Sequence, residues 1–146
     1  MKKPLLVTDY HGVLPFIINF LSERFDIIII TGSNYEAVGH IKRIINEHNI
    51  KVKKIVSIPQ KYYQYKREGG YSRFRDEWKI QQIIKLKPDY YIDNEEYAIR
   101  QVSKRSPKTI CLFVYQDEKW HDNTDLGFRK LLKGDKEALK VINNLV

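Results

Sequence analysis

Three short runs of this chain end in side chains able to do chemistry. Leu5-Leu6-Val7-Thr8 leads into Asp9-Tyr10-His11-Gly12, Ile27-Ile28-Ile29-Ile30 into Thr31-Gly32-Ser33, and Tyr90-Tyr91-Ile92 into Asp93-Asn94-Glu95. If each run is a strand of one sheet, two carboxylates and a hydroxyl converge on a single sheet edge. Two carboxylates within a few ångströms of one another call for a cation between them, and hard oxygen donors of this kind favour Mg²⁺. Any one of these aspartates could instead be a turn residue or a helix N-cap, and Ser33 or Asn34 could cap the helix after Thr31. The coincidence of three strand ends is what points to a site.

The elements that must position these residues alternate along the chain. Strands are expected at Leu5 to Asp9, Ile27 to Thr31, Val52 to Ile58, Tyr90 to Asp93 and Thr109 to Tyr115. The first two are apolar on consecutive positions, the pattern of strands buried on both faces in a parallel sheet. Amphipathic stretches predict helices at about 14–24, 34–48, 77–86 and 95–105, with a last one at about 126–145 that Gly134-Asp135 splits. The order βαβαβ(insert)αβαβα predicts one α/β domain over residues 1–146, a doubly wound, Rossmann-like parallel sheet flanked by helices. Such sheets bind ligands at the carboxyl ends of their strands.

Composition narrows the class. The 146 residues are 42% hydrophobic and 30% charged, enough apolar material for one core and too much for a disordered chain. No apolar run approaches the roughly 20 residues of a membrane span, and Pro4, Asp9 and His11 break any signal-peptide core after Met1-Lys2-Lys3. A soluble protein without a membrane partner is expected. Cys111 is the only cysteine, which excludes an internal disulfide or a thiolate metal cluster and suits the reducing cytoplasm. The net charge of +8 divides as +3 over 1–58, +5 over 59–87 and zero over 88–146. A basic centre of this kind attracts phosphorylated ligands or polyanions.

The excess centres on residues 59–76, which break the alternation and read as a long loop carrying five basic side chains, two acidic ones and five interleaved aromatics. That composition suits phosphate contacts and base stacking. It equally suits a solvated hairpin whose tyrosines pack on the domain.

Four short motifs, the three strand ends and Lys79 between the second and third, together resemble those of the haloacid dehalogenase-like (HAD) hydrolases, over roughly residues 4–115. Leu5 to Leu14 is similar to the family's first motif, hhhhDxDG(T/V)L, with Asp9 in the position of the nucleophilic aspartate. Thr31 resembles the second-motif hydroxyl that binds the phosphoryl group, Lys79 the third-motif lysine, and Asp93 the fourth-motif metal ligand. Lys79 is preferred to Lys85 and Lys87 because it opens the predicted 77–86 helix, whereas the other two sit at that helix's carboxyl end, where they suit its dipole. The resemblance implies Mg²⁺ held by Asp9, the backbone carbonyl of His11 and Asp93, with Asn94 as an amide ligand or as an orienter of metal-bound water. It further implies attack by Asp9 on phosphorus to give an aspartyl-phosphate. Thr31 and Lys79 would bind the equatorial oxygens, Gly32 would let the backbone approach the phosphate, and Ser33 would stand beside it.

Two positions depart from the pattern: Asn94 stands where a second acidic residue would be more usual, a minor change because an amide oxygen can still ligate, and His11 is the larger departure. His11 occupies the place of the second aspartate, which in the family's phosphatases protonates the leaving group and then activates water. Histidine can do the same proton work near neutral pH, or it can mark a site that binds without turnover. No cap domain follows the first strand, and the 59–76 insert is too short to be one. An open site with Arg73 and Arg75 beside it implies a phosphomonoester such as a nucleotide or a nucleic-acid end. Two alternatives remain: a catalytically impaired HAD-like domain that binds nucleotide or nucleic acid, and an unrelated doubly wound domain with an interaction role. No protein partner is indicated.

Overall fold

Apolar residues on consecutive strand positions require cover on both faces of the sheet, and the fold supplies it. The computed structural model describes residues 2–10, 25–32, 35–59, 61, 71–115 and 129–132. Six strands form one sheet: β1 (Leu5–Thr8), β2 (Asp26–Thr31), β3 (Lys54–Ser57), β4 (Tyr90–Asp93), β5 (Ile110–Tyr115) and β6 (Arg129–Leu132). The order is β3-β2-β1-β4-β5-β6, and every neighbouring pair is parallel. Three helices are described: α1 (Tyr35–Glu47), α2 (Tyr71–Leu86) and α3 (Glu96–Arg105). This is an α/β fold of Rossmann-like form. Among the described residues no helix is long and apolar enough to cross a membrane.

Alternation along the strands sorts the core into two layers. Leu6, Ile27, Ile29, Ile92 and Leu112 face one way and pack with Ile41 and Ile45 of α1. Val7, Ile28, Ile30, Tyr91, Cys111 and Phe113 face the other way and pack with Ile80 and Ile83 of α2 and Ala98, Ile99 and Val102 of α3. Each helix contributes residues three and four apart, one apolar stripe per helix. α1 ends in a Schellman motif: the Ile50 amide donates to the Ile45 carbonyl (2.9 Å) and the Asn49 amide to that of Asn46 (3.1 Å). Asn49 takes the left-handed conformation this requires, with φ 55°. Lys87, with φ 47°, stops α2 in the same region just before Pro88.

The chain steps from β1 outward through β2 to β3, then crosses back through α2 to place β4 against the other side of β1. This reversal leaves a crevice between the carboxyl ends of β1 and β4, the place where doubly wound sheets bind ligands. Thr8 pairs with Ile92, so Asp9 and Asp93, one residue further on each strand, stand level with each other.

Two expectations are corrected. Residues 59–76 are not loop throughout, because α2 begins at Tyr71. The stretch Tyr71 to Asp76 has no glycine or proline to stop a helix, whereas Gly69-Gly70 lies just before it. Arg73 and Arg75 are therefore helical residues. Within the expected terminal helix at 126–145, Arg129–Leu132 instead forms β6, paired from Leu112↔Arg129 to Tyr115↔Leu132. The open edge of β5 offers these four residues a ladder of backbone hydrogen bonds, and that tertiary partner overrides helical preference. The expected helix at 14–24 lies outside the described residues, as do 62–70 of the insert and the remainder of 126–145.

Ile99 is fully buried between α3 and the sheet, while Lys104 on the same helix is exposed. Ile99→Ala is expected to cost about 2–5 kcal/mol of unfolding free energy, and Lys104→Ala to stay within about 0.5 kcal/mol of wild type. Urea denaturation monitored by circular dichroism measures both.

Candidate functional site

At the crevice three buried ionisable groups meet. Lys79 Nζ lies 2.7 Å from Asp93 Oδ2 and 3.4 Å from Asp9 Oδ1, and all three side chains are almost fully removed from solvent. The fold accounts for the meeting. Asp9 continues the face of β1 that carries Val7, and Asp93 the face of β4 that carries Tyr91, the side covered by α2. Lys79 is not at the start of its helix but about two turns into α2, next to Ile80, so its stem is packed before its ammonium reaches the aspartates.

Asp93 is clamped from three directions. Oδ2 accepts from the Tyr91 hydroxyl as well as from Lys79, and Oδ1 accepts from the Glu95 backbone amide at 3.0 Å. Asp9 is fixed through its backbone, its amide donating to the Ile92 carbonyl at 3.1 Å. The Thr8 hydroxyl donates to the Asp9 carbonyl at 2.9 Å. Glu95 completes the cluster, with Oε2 4.0 Å from Lys79 Nζ.

Three carboxylates against one ammonium leave an excess of negative charge in a poorly solvated place. Burial, reinforced by the nearby Asp93 charge, raises the Asp9 carboxyl from an ordinary 3.8 to about 7 even though Lys79 opposes the shift. Burial also raises Glu95 and Tyr91, the latter further by the Asp93 charge and hydrogen bond. For Lys79 burial works against the charge, but Asp93, Asp9 and Glu95 more than offset it, and its ammonium is held above the usual lysine range.

Of the other expected site residues, Thr31 closes β2 and is buried. It stands two positions beyond Ile29, the partner of Thr8. Gly32 follows it, beneath the side chain of Arg75. A Cβ on Gly32 would lie 2.6 Å from Arg75 Cδ. Arg75 is on the first turns of α2, with Nη2 3.3 Å from Asp76 Oδ1 and 3.6 Å from Glu95 Oε1. Asn94 is half-buried in the bend after β4. Arg73 is in α2, its side chain outside those described. His11 and Ser33 also lie outside the described residues. Glu95, which the sequence pattern does not single out as a site residue, supplies a third carboxylate. Its signal was its place two residues after Asp93, on the side of the turn that begins α3.

Among the described residues no three His, Cys, Asp or Glu side chains are grouped to hold a metal ion; the Lys79 ammonium stands between the two aspartates. The donor chemistry nonetheless suits a hard divalent cation, since among the described residues the carboxylates outnumber the ammonium, and burial together with the Asp93 charge raises the Asp9 carboxyl to about 7. The chain matches no family model and no curated protein.

Two outcomes follow for stability. Between about pH 4 and pH 7 the folded chain keeps a proton on Asp9 that the unfolded chain has released, so stability falls as pH rises through that window. Urea midpoints measured in EDTA should show this slope, reduced by about one proton in Asp9→Asn; equal slopes would remove Asp9 from the buried cluster. Lys79→Met, which strands Asp93 and Asp9 without their counter-ion, is expected to cost about 3–5 kcal/mol at pH 7, read from the same denaturation curves.

Proposed function

We propose that this protein is a Mg²⁺-dependent phosphohydrolase of the HAD-like kind, acting on a phosphomonoester through an aspartyl-phosphate. The observation that carries the reading is the pairing of Asp9 and Asp93 at the ends of adjacent central strands at the switch point, bridged by the buried Lys79. A nucleophilic carboxylate must be rigid, close to a cation and shielded from water, and Asp9 meets these conditions.

Asp9 and Asp93 would hold Mg²⁺, and the ion would supply charge neutralisation of the phosphate and of the carboxylates themselves. Asp9 attacks phosphorus in line, the bond to the leaving oxygen breaks, and a proton reaches that oxygen from His11. Lys79 and Thr31 bind the phosphoryl oxygens and offset the charge that develops on them. His11 then takes a proton from the water that cleaves the aspartyl-phosphate. Tyr91 and the Glu95 amide keep Asp93 oriented throughout.

One observation favours a second reading, binding without turnover: His11 stands where an aspartate would be usual. Phosphate release from a panel of monoesters, including nucleotides and end-phosphorylated oligonucleotides, separates the two. The hydrolase reading expects release that requires Mg²⁺, is abolished by Asp9→Asn, and falls about 10²-fold or more in His11→Ala. Binding of the same compounds without release by the wild type, together with release by His11→Asp, would establish the second reading instead.

A further inference from the structure

One cation beside the cluster has no part in the chemistry above. Arg75 stands one helical turn before Lys79 on α2, so the two side chains leave the same face of the helix. α2 returns the chain between parallel strands and therefore runs antiparallel to them. Its amino-terminal end, and Arg75 with it, lies over the carboxyl ends that carry Asp9, Thr31 and Asp93.

The course of the Arg75 side chain is set by Gly32. An added Cβ there would lie 2.6 Å from Cδ and 2.9 Å from Cγ, closer than carbon atoms approach, so only a glycine after Thr31 leaves the arginine stem its path. The guanidinium then reaches Glu95, with Nη2 3.6 Å from Oε1, while the other oxygen of that carboxylate is 4.0 Å from Lys79 Nζ. One carboxylate thus spans the two cations. The contacts of Arg75 with its sequence neighbour Asp76 are 3.3 and 3.4 Å long, and its side chain is 32% exposed. Ion pairs of this length and exposure each contribute little, whereas a guanidinium binds a phosphate through two parallel hydrogen bonds.

We propose that Arg75 is the specificity-determining residue of this site and that the substrate carries a second phosphate group, which replaces Glu95 on the guanidinium while the scissile phosphate lies at Asp9 and Lys79. The inference rests on the phosphate-ester reading above and adds a substrate class to it: nucleotides or nucleic-acid ends bearing a further phosphate next to the terminal one. Gly32 acts as a positioning residue through Arg75.

The test is equilibrium binding of methylenediphosphonate and methylphosphonate, neither of which can be hydrolysed at phosphorus, to the whole protein in EDTA at moderate salt. The wild type should prefer the diphosphonate by about ten- to hundred-fold, the range expected for a charged hydrogen-bonded contact. The preference should collapse in Arg75→Ala, recover in part in Arg75→Lys, and fall in Gly32→Ala, which displaces the side chain without removing its charge. Lys104→Ala, which lowers the net charge equally at an exposed position, should keep it. A wild type without preference, or an Arg75→Ala protein that retains it, overturns the proposal whatever the hydrolytic activity. A preference that depends on Arg75 in a protein releasing no phosphate from any monoester upholds the contact and overturns the hydrolase reading.

Discussion

The buried ammonium of Lys79 is the interaction on which the crevice depends. Removing a cation and two aspartates from water costs several kcal/mol per ion, and their mutual attraction offsets this only with good geometry and further hydrogen bonds. Here the 2.7 Å contact to Asp93, the Tyr91 hydroxyl and the Glu95 amide provide them. Apolar residues of similar volume would serve stability at least as well, so the cluster's consequence is electrostatic. It fixes two carboxylates and a cation at the strand ends, in a medium where each charge acts strongly on the next.

That fixation is incomplete in sign. Among the described residues Asp9, Asp93 and Glu95 outnumber Lys79, and burial, reinforced by the Asp93 charge, raises Asp9. Arg75, a third exposed, lies within ion-pair distance of Glu95 and Asp76. Charges of opposite sign therefore alternate along one line of contacts: Asp9, Lys79, Glu95, Arg75. A ligand carrying negative charge can enter such a series only by displacing a carboxylate, and one carrying positive charge only by sharing them.

Much of this was legible in the sequence, for a physical reason. Unbroken apolar runs such as Ile27 to Ile30 have no polar face to turn to water, so a parallel sheet covered on both sides was the arrangement open to them, and aspartates at their ends had to meet at one edge. Where tertiary context decided, the reading failed. Arg129 to Leu132 carries no strong strand signal and becomes a strand because β5 has a free edge. Tyr71 to Asp76 resembles a loop by composition yet extends α2, and that extension turns Arg75 from an insert residue into a neighbour of Gly32. The sequence pattern puts Lys79 at the opening of a helix, but two additional turns precede it, and its burial comes from the packing of α2 as a whole. Glu95 was not separable from other turn carboxylates, because only the bend after Asp93 decides which of Asn94 and Glu95 faces the lysine.

The central position of β1 has a consequence for synthesis. Its neighbour on one side, β2, follows soon in the chain, but its other neighbour, β4, arrives much later; the contact of the Leu5 amide with Asp89 spans 84 residues. Until β4 has left the ribosome, one backbone edge of β1 and the apolar side chains of Leu6 and Val7 have no partner on that side. Non-local parallel pairing is slow, and open edges of this kind invite association with other chains. The strand that leads to Asp9 is thus made well before its partner β4, and the charged cluster forms only when the sheet closes around it.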